Sequence, residues 1–167
     1  MDETGVVPAI VTSPDGTRLS LERRGDGPNL LMIHSVACCR RTTPQATLPA
    51  ALAEHFAVTT FDRRGTGESA AVSSYAVERE FEDITAVVNA IGGPVDVYGF
   101  SSGATLALLA ARAGVPIRRL ALLEPPLASP VYAANRDIVA ELLVRDRAAA
   151  REHYLVHVVG VPPEVLD

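Results

Sequence analysis

Three short stretches constrain the fold most: Asn29–Ile33 (NLLMI), residues 58–61 (VTTF) and residues 95–98 (VDVY). Runs of four or five mostly apolar residues without strict polar alternation are expected where a sheet is buried on both faces, as in a parallel sheet covered by helices. Stretches with helical spacing lie around them. These are residues 46–55, residues 77–91, which stop at Gly92-Gly93-Pro94, and residues 102–113, which end at Gly114. A further run, residues 118–123 (RRLALL), reads as another buried strand. Strand and helix alternate, which predicts a mostly parallel sheet with helices on both faces. Ahead of this pattern, residues 6–12 and 17–23 read as a hairpin closed by Ser13-Pro14-Asp15-Gly16.

The character changes at Pro125. Residues 125–130 (PPLASP) read as a connector, and residues 131–159, with many Arg and Glu residues, as an amphipathic helical region. Pro162 and Pro163 stand just before helix formers and read as the start of another helix. The expected organisation is therefore a core over residues 1–126 and a partial helical cap over residues 127–167.

Charge excludes some functions. The 15 basic and 20 acidic residues give a net charge of -5 with neither sign gathered in a block, so the footprint of a nucleic-acid binder is missing. No uninterrupted apolar stretch is long enough to span a bilayer, and the acidic start MDETGVV lacks a basic lead-in, so a cytoplasmic location without membrane association is expected. Cys38 and Cys39 are adjacent, which strains a mutual disulfide and leaves no second metal-ligand pair; they read as loop or packing thiols. No metal or organic cofactor is indicated.

One interruption carries chemistry. Gly99-Phe100-Ser101-Ser102-Gly103 joins a predicted strand to a predicted helix, and a serine at the centre of G-x-S-x-G on such a turn is a nucleophile elbow. The bland alternative for Ser101-Ser102 is a helix N-cap. The elbow would also aim the N–H of Ser102, at the positive end of a helix, toward an oxyanion forming beside Ser101. Asp62-Arg63-Arg64-Gly65-Thr66-Gly67 combines glycines with charge but lacks the lysine of a phosphate loop, and reads as structural.

Together these segments resemble the α/β-hydrolase superfamily. LLMIHSVA resembles its third strand and oxyanion loop, FDRRGTGES the turn after its fourth strand, and VDVYGFSSGA its fifth strand and elbow, in family order over residues 6–126. The resemblance implies Ser101 as nucleophile, with Ser102 N–H and Val36 N–H as oxyanion donors. It implies a structural role for His34, which would hydrogen-bond neighbouring loops. Ser35 stands where the family usually has glycine, so its side chain is expected to crowd the acyl pocket. Glu124, directly after the strand at residues 118–123, matches the position at which some members carry the triad acid. His153 and His157 lie in the cap without the strand-and-loop context of the family's base. The resemblance therefore implies a sheet truncated before the last two strands, with the base outside these 167 residues.

The expected function is a serine hydrolase for ester, lactone or related acyl substrates that works through an acyl-enzyme at Ser101, its partner a small, largely apolar acyl compound. The chain by itself would then be a poor catalyst. The alternative is a non-catalytic small-molecule-binding protein on the same scaffold.

Overall fold

The computed structural model describes residues 5–36, 38–71, 75–126 and 130–166. Two compact units emerge, Met1–Pro125 and Pro126–Asp167. The expected start of the cap at Leu127 lies outside the described residues.

The first unit holds a six-stranded sheet in the order β1-β2-β4-β3-β5-β6. The strands are β1 (Val7–Thr12), β2 (Arg18–Arg24), β3 (Asn29–Ile33), β4 (Ala57–Phe61), β5 (Val95–Phe100) and β6 (Ile117–Leu123). β1 and β2 form the expected hairpin, and β2 joins β4 antiparallel. The pairs β3–β4, β3–β5 and β5–β6 are parallel. The helices are α1 (Leu48–Leu52), α2 (Val77–Ala90) and α3 (Ser102–Arg112).

Alternate residues of β3 feed two cores, because successive strand side chains point to opposite faces. Leu31 and Ile33 pack with Val97 and with Ile84, Val87, Leu106 and Ala107 of α2 and α3. Leu30 and Met32 pack with Val58 and with Leu48 and Leu52 of α1. Burial on both faces is why NLLMI shows no polar alternation.

α2 buries a stripe at i, i+3, i+4, i+7 and i+8: Glu80, Asp83, Ile84, Val87 and Val88. Two carboxylates in an apolar stripe demand partners. Asp83 takes Arg64 in a two-pronged contact at 2.6 and 2.7 Å, and Arg64 also reaches Asp15 at 2.9 Å. Glu80 takes Arg63, with Arg63 Nε 2.8 Å from Oε2, and accepts the Tyr75 hydroxyl at 3.0 Å. These pairs moor the turn after β4 onto α2.

Several elements differ from the sequence expectation. α1 is only Leu48–Leu52; the chain beyond it turns so that Ala53 O and Phe56 O approach Gly25, where a Cβ would stand 2.4 Å and 2.5 Å from them. β6 is not a buried strand. It pairs with β5 alone at the edge of the sheet, and Leu122 and Leu123, which point to opposite faces, are 37% and 42% exposed.

The second unit comprises α4 (Pro130–Arg145), α5 (Arg147–His153), a π-helical turn (Tyr154–Val159) and a 3₁₀ turn (Pro163–Val165) at the predicted proline start. Asp146 caps α5 by accepting the N–H groups of Ala148 and Ala149. α4 packs against α5 through a half-buried stripe at i, i+4 and i+7 (Asn135, Val139 and Leu142); none of its residues is fully buried, and Val131, Ile138, Leu143 and Val144 are exposed. No helix of the described residues is long and apolar enough to cross a membrane.

Removing one partner of a buried ion pair strands the other charge and costs about 3 to 5 kcal/mol. Asp83→Ala should therefore lower the unfolding free energy by about that amount in a urea titration. Arg79→Ala, which removes an exposed pair with Glu82, should leave the same titration nearly unchanged.

Candidate active site

The carboxyl ends of β3, β4, β5 and β6 carry His34, Asp62, Ser101 and Glu124 in turn. This is the sheet end at which open parallel sheets place ligand sites.

Ser101 occupies the turn between β5 and α3 with φ 52° and ψ -123°, a positive-φ conformation unusual for a residue with a side chain. Backbone bonds hold it there. Ser101 N–H donates to Leu123 O at 2.8 Å, and Ser101 O accepts the N–H groups of Ala104 and Thr105 at 2.9 and 3.3 Å. The glycines on either side are steric requirements. A Cβ at Gly99 would lie 2.6 Å from Ala104 Cα, and one at Gly103 would lie 2.3 Å from Ile33 O and 2.6 Å from His34 O. Ser101 stands at the N-cap position of α3, yet its side chain makes no capping bond.

Ser102 opens α3, so its N–H has no acceptor within the helix. Its hydroxyl is engaged: Val36 N–H donates to Ser102 Oγ at 2.7 Å. Ser35 Oγ lies 3.3 Å from the same oxygen. The Ser35 side chain thus turns onto Ser102, which is where the hydroxyl expected to crowd the pocket goes. Val36 N–H is committed to a protein group in this state.

His34 is buried, and its carbonyl oxygen faces Arg63 Nη1 at 3.5 Å. Its ring Nε2 has no partner among the described residues. Burial holds its pKa down at about 4, so the ring is neutral above that value. Asp62 organises the next turn. Its carboxylate accepts Arg40 N–H at 2.8 Å, Glu68 N–H at 2.9 Å and Arg40 Nη2 at 3.1 Å. These bonds hold its pKa below the usual carboxylate range against the opposing effect of burial. A Cβ at Gly67 would lie 2.3 Å from Asp62 Oδ2, so only glycine lets the turn close around that carboxylate. Arg40 also meets Glu22 at 3.0 Å and Glu68 at 2.9 Å. The charges of residues 62–68 are therefore satisfied within the fold.

Glu124 is exposed and is the second non-glycine residue at positive φ (51°) among those described. The two strained residues are tied through the bond from Ser101 N–H to the carbonyl just before Glu124. Its charge, after burial, helps raise the Tyr98 pKa. Within the first unit neither His34 nor His55 hydrogen-bonds Ser101. His55 is exposed beyond α1, and in the second unit His153 bonds Asn135 at 2.8 Å with its ring 4.5 Å from that of His157. Cys38 and Cys39 are free thiols; burial raises the first, and the Thr42 hydroxyl lowers the second.

Sequence reasoning did not pick out Arg40, Glu68, Glu80 or Asp83 as partners of this region. The readable signal was the pair of acids at i, i+3 inside the apolar stripe of α2.

Residues 30–167 match the model of the alpha/beta hydrolase family. The probable oxidoreductase EphD of Mycobacterium tuberculosis is 30% identical over 110 residues, which make up 62% of this chain and 18% of that protein. An alpha/beta hydrolase from Sphaerobacter thermophilus superposes with a TM-score of 0.83 at 42% identity, covering 94% of this chain and 63% of that one. A thermophilic esterase from Thermogutta terrifontis superposes with a TM-score of 0.73 at 25% identity, covering 90% of this chain and 58% of that one. The chain thus spans 18% of the length of the curated relative and less than two thirds of these two solved structures.

A neutral buried histidine makes stability depend on pH in a definite direction. Between the ordinary value of 6.5 and about 4 the unfolded chain binds a proton that folded His34 does not, so stability falls as pH drops through that window. Between pH 7.5 and 5 the His34 contribution is about 2 kcal/mol. Urea titrations of wild type and His34→Gln at both pH values should show the variant losing less stability by that margin.

Proposed function

The chain belongs to the alpha/beta hydrolase family, and on that premise we propose that it carries the nucleophile and oxyanion loop of a serine hydrolase for esters, lactones or related acyl compounds. Ser101 Oγ attacks the acyl carbon and passes its proton to a base. The developing oxyanion is held by Ser102 N–H and Val36 N–H, the leaving oxygen takes the proton, and water then hydrolyses the acyl-enzyme. The observation that carries the reading is Ser101 itself. Its backbone is held in a strained positive-φ conformation, and its hydroxyl makes no capping bond, so the strain does not serve a helix cap.

Glu124 is proposed as the acid that orients the base. Its support is the second positive φ and the backbone tie to Ser101. The base is proposed to be a histidine outside these 167 residues, since neither His34 nor His55 of the first unit bonds Ser101 and His153 and His157 sit in helical cap elements without a strand-and-loop setting. The apolar character of the surrounding chain favours small, largely apolar acyl groups. The thermophilic esterase from Thermogutta terrifontis, by its name, supports ester chemistry on this scaffold. The engagement of Val36 N–H by Ser102 favours a second reading, a binding protein that keeps the pocket without turnover.

The test is hydrolysis of p-nitrophenyl butyrate by the protein expressed with its native flanking coding sequence. Ser101→Ala should lower kcat by about a thousandfold or more, and the 167-residue chain expressed alone should work no better than that variant. Ser101-dependent turnover by the 167-residue chain would contradict the placement of the base. Binding of a butyrate ester without any turnover would favour the second reading.

A further inference from the structure

The first residues of the oxyanion loop and the elbow meet through side chains that the proposed chemistry does not use. Val36 N–H donates to Ser102 Oγ at 2.7 Å, shorter than the usual separation for such a bond. A hydroxyl that accepts still has a proton to give, and Ser35 Oγ at 3.3 Å is placed to receive it or to donate in its turn. The distance between loop and elbow is not free to change. Gly103 lies so close to β3 that a Cβ there would stand 2.3 Å from Ile33 O. With the start of α3 held against Ile33 and His34, the Ser102 side chain is a part that can turn without moving that contact.

We propose that Ser102 is a positioning residue that gates the oxyanion hole: its hydroxyl occupies Val36 N–H in the free protein and yields that N–H to the substrate oxygen as negative charge develops. The inference rests on the reading of Ser101 as the nucleophile. A neutral hydroxyl in the place of an oxyanion keeps Val36 N–H oriented toward the elbow, but the bond must be given up before the hole is complete. Ser35, in the position where glycine is usual in the family, holds the gate by bonding the same hydroxyl. The two serines therefore act as one device, and the departure at Ser35 acquires a purpose. The exchange is favourable because a hydrogen bond to an ionised acceptor is about twice as strong as one between neutral groups. The part lost is the neutral bond broken, which corresponds to about fivefold in rate.

The experiment uses the protein expressed with its native flanking coding sequence. Ser102→Ala keeps the backbone N–H of residue 102 and removes only the gate. It should raise kcat/KM for p-nitrophenyl butyrate about fivefold. It should also tighten, by the same factor, a trifluoromethyl ketone that accepts the Ser101 oxygen at its carbonyl carbon and becomes an oxyanion. Ser102→Thr, which restores a hydroxyl, should return both values toward wild type. In amide NMR the Val36 N–H signal should move on Ser102→Ala whether or not the protein turns over ester. Lower or unchanged kcat/KM and ketone affinity in a folded Ser102→Ala protein would overturn the gate, as would an unmoved Val36 signal. If instead wild type shows no Ser101-dependent turnover while the Val36 signal moves, it is the reading of Ser101 as nucleophile that fails, and the gate with it.

Discussion

The site depends on one close approach: the first turn of α3 lies directly against the end of β3, with no room for a Cβ at Gly103. Glycine there and at Gly99 lets the chain reverse between β5 and α3 within a single residue, and Ser101 absorbs the strain at φ 52°. The same approach brings the segment after β3 beside the start of α3, so Val36 and Ser102 meet. Parallel pairing of β3, β5 and β6 then sets His34, Ser101 and Glu124 along one sheet end. The proposed oxyanion donors are brought to one place by that packing.

Around this end the fold uses buried charge to hold loops. Arg40, Arg63 and Arg64 are buried cations, each met by carboxylates from another segment. Buried pairs are weak evidence for stability, because desolvation offsets much of the attraction, yet an unmatched partner is very costly. Their arrangement ties the turn after β4 both to α2 and to the loop that follows Val36, so two loops at the sheet end are fastened to the scaffold rather than left to solvent.

Much of this was legible in the residues because it is written locally. NLLMI could be recognised as a strand buried on both faces, and Gly99, Ser101 and Gly103 as a strand-to-helix elbow, since each depends on spacing within a few positions. Hairpin, parallel strands and the start of α3 were read in their places. What escaped depends on distant partners. Glu80 and Asp83 take their partners from Arg63 and Arg64, 17 and 19 positions earlier. The exposure of Leu122 and Leu123 and the unburied faces of α4 reflect what surrounds those elements, which their apolar sequence does not state. Ser35 was visible as a departure, but its meeting with Ser102 spans 67 positions.

The central claim is that the strained turn presents Ser101, and not its neighbour, for covalent chemistry. The most direct measurement is mass spectrometry of the protein, expressed with its native flanking coding sequence, after exposure to an alkyl fluorophosphonate. In that reaction a serine oxygen displaces fluoride at phosphorus and leaves one phosphonyl group attached. The account predicts one adduct, on Ser101, formed by the folded protein and absent when it is unfolded in urea beforehand. An adduct on Ser102, or no adduct on the folded protein, would contradict it.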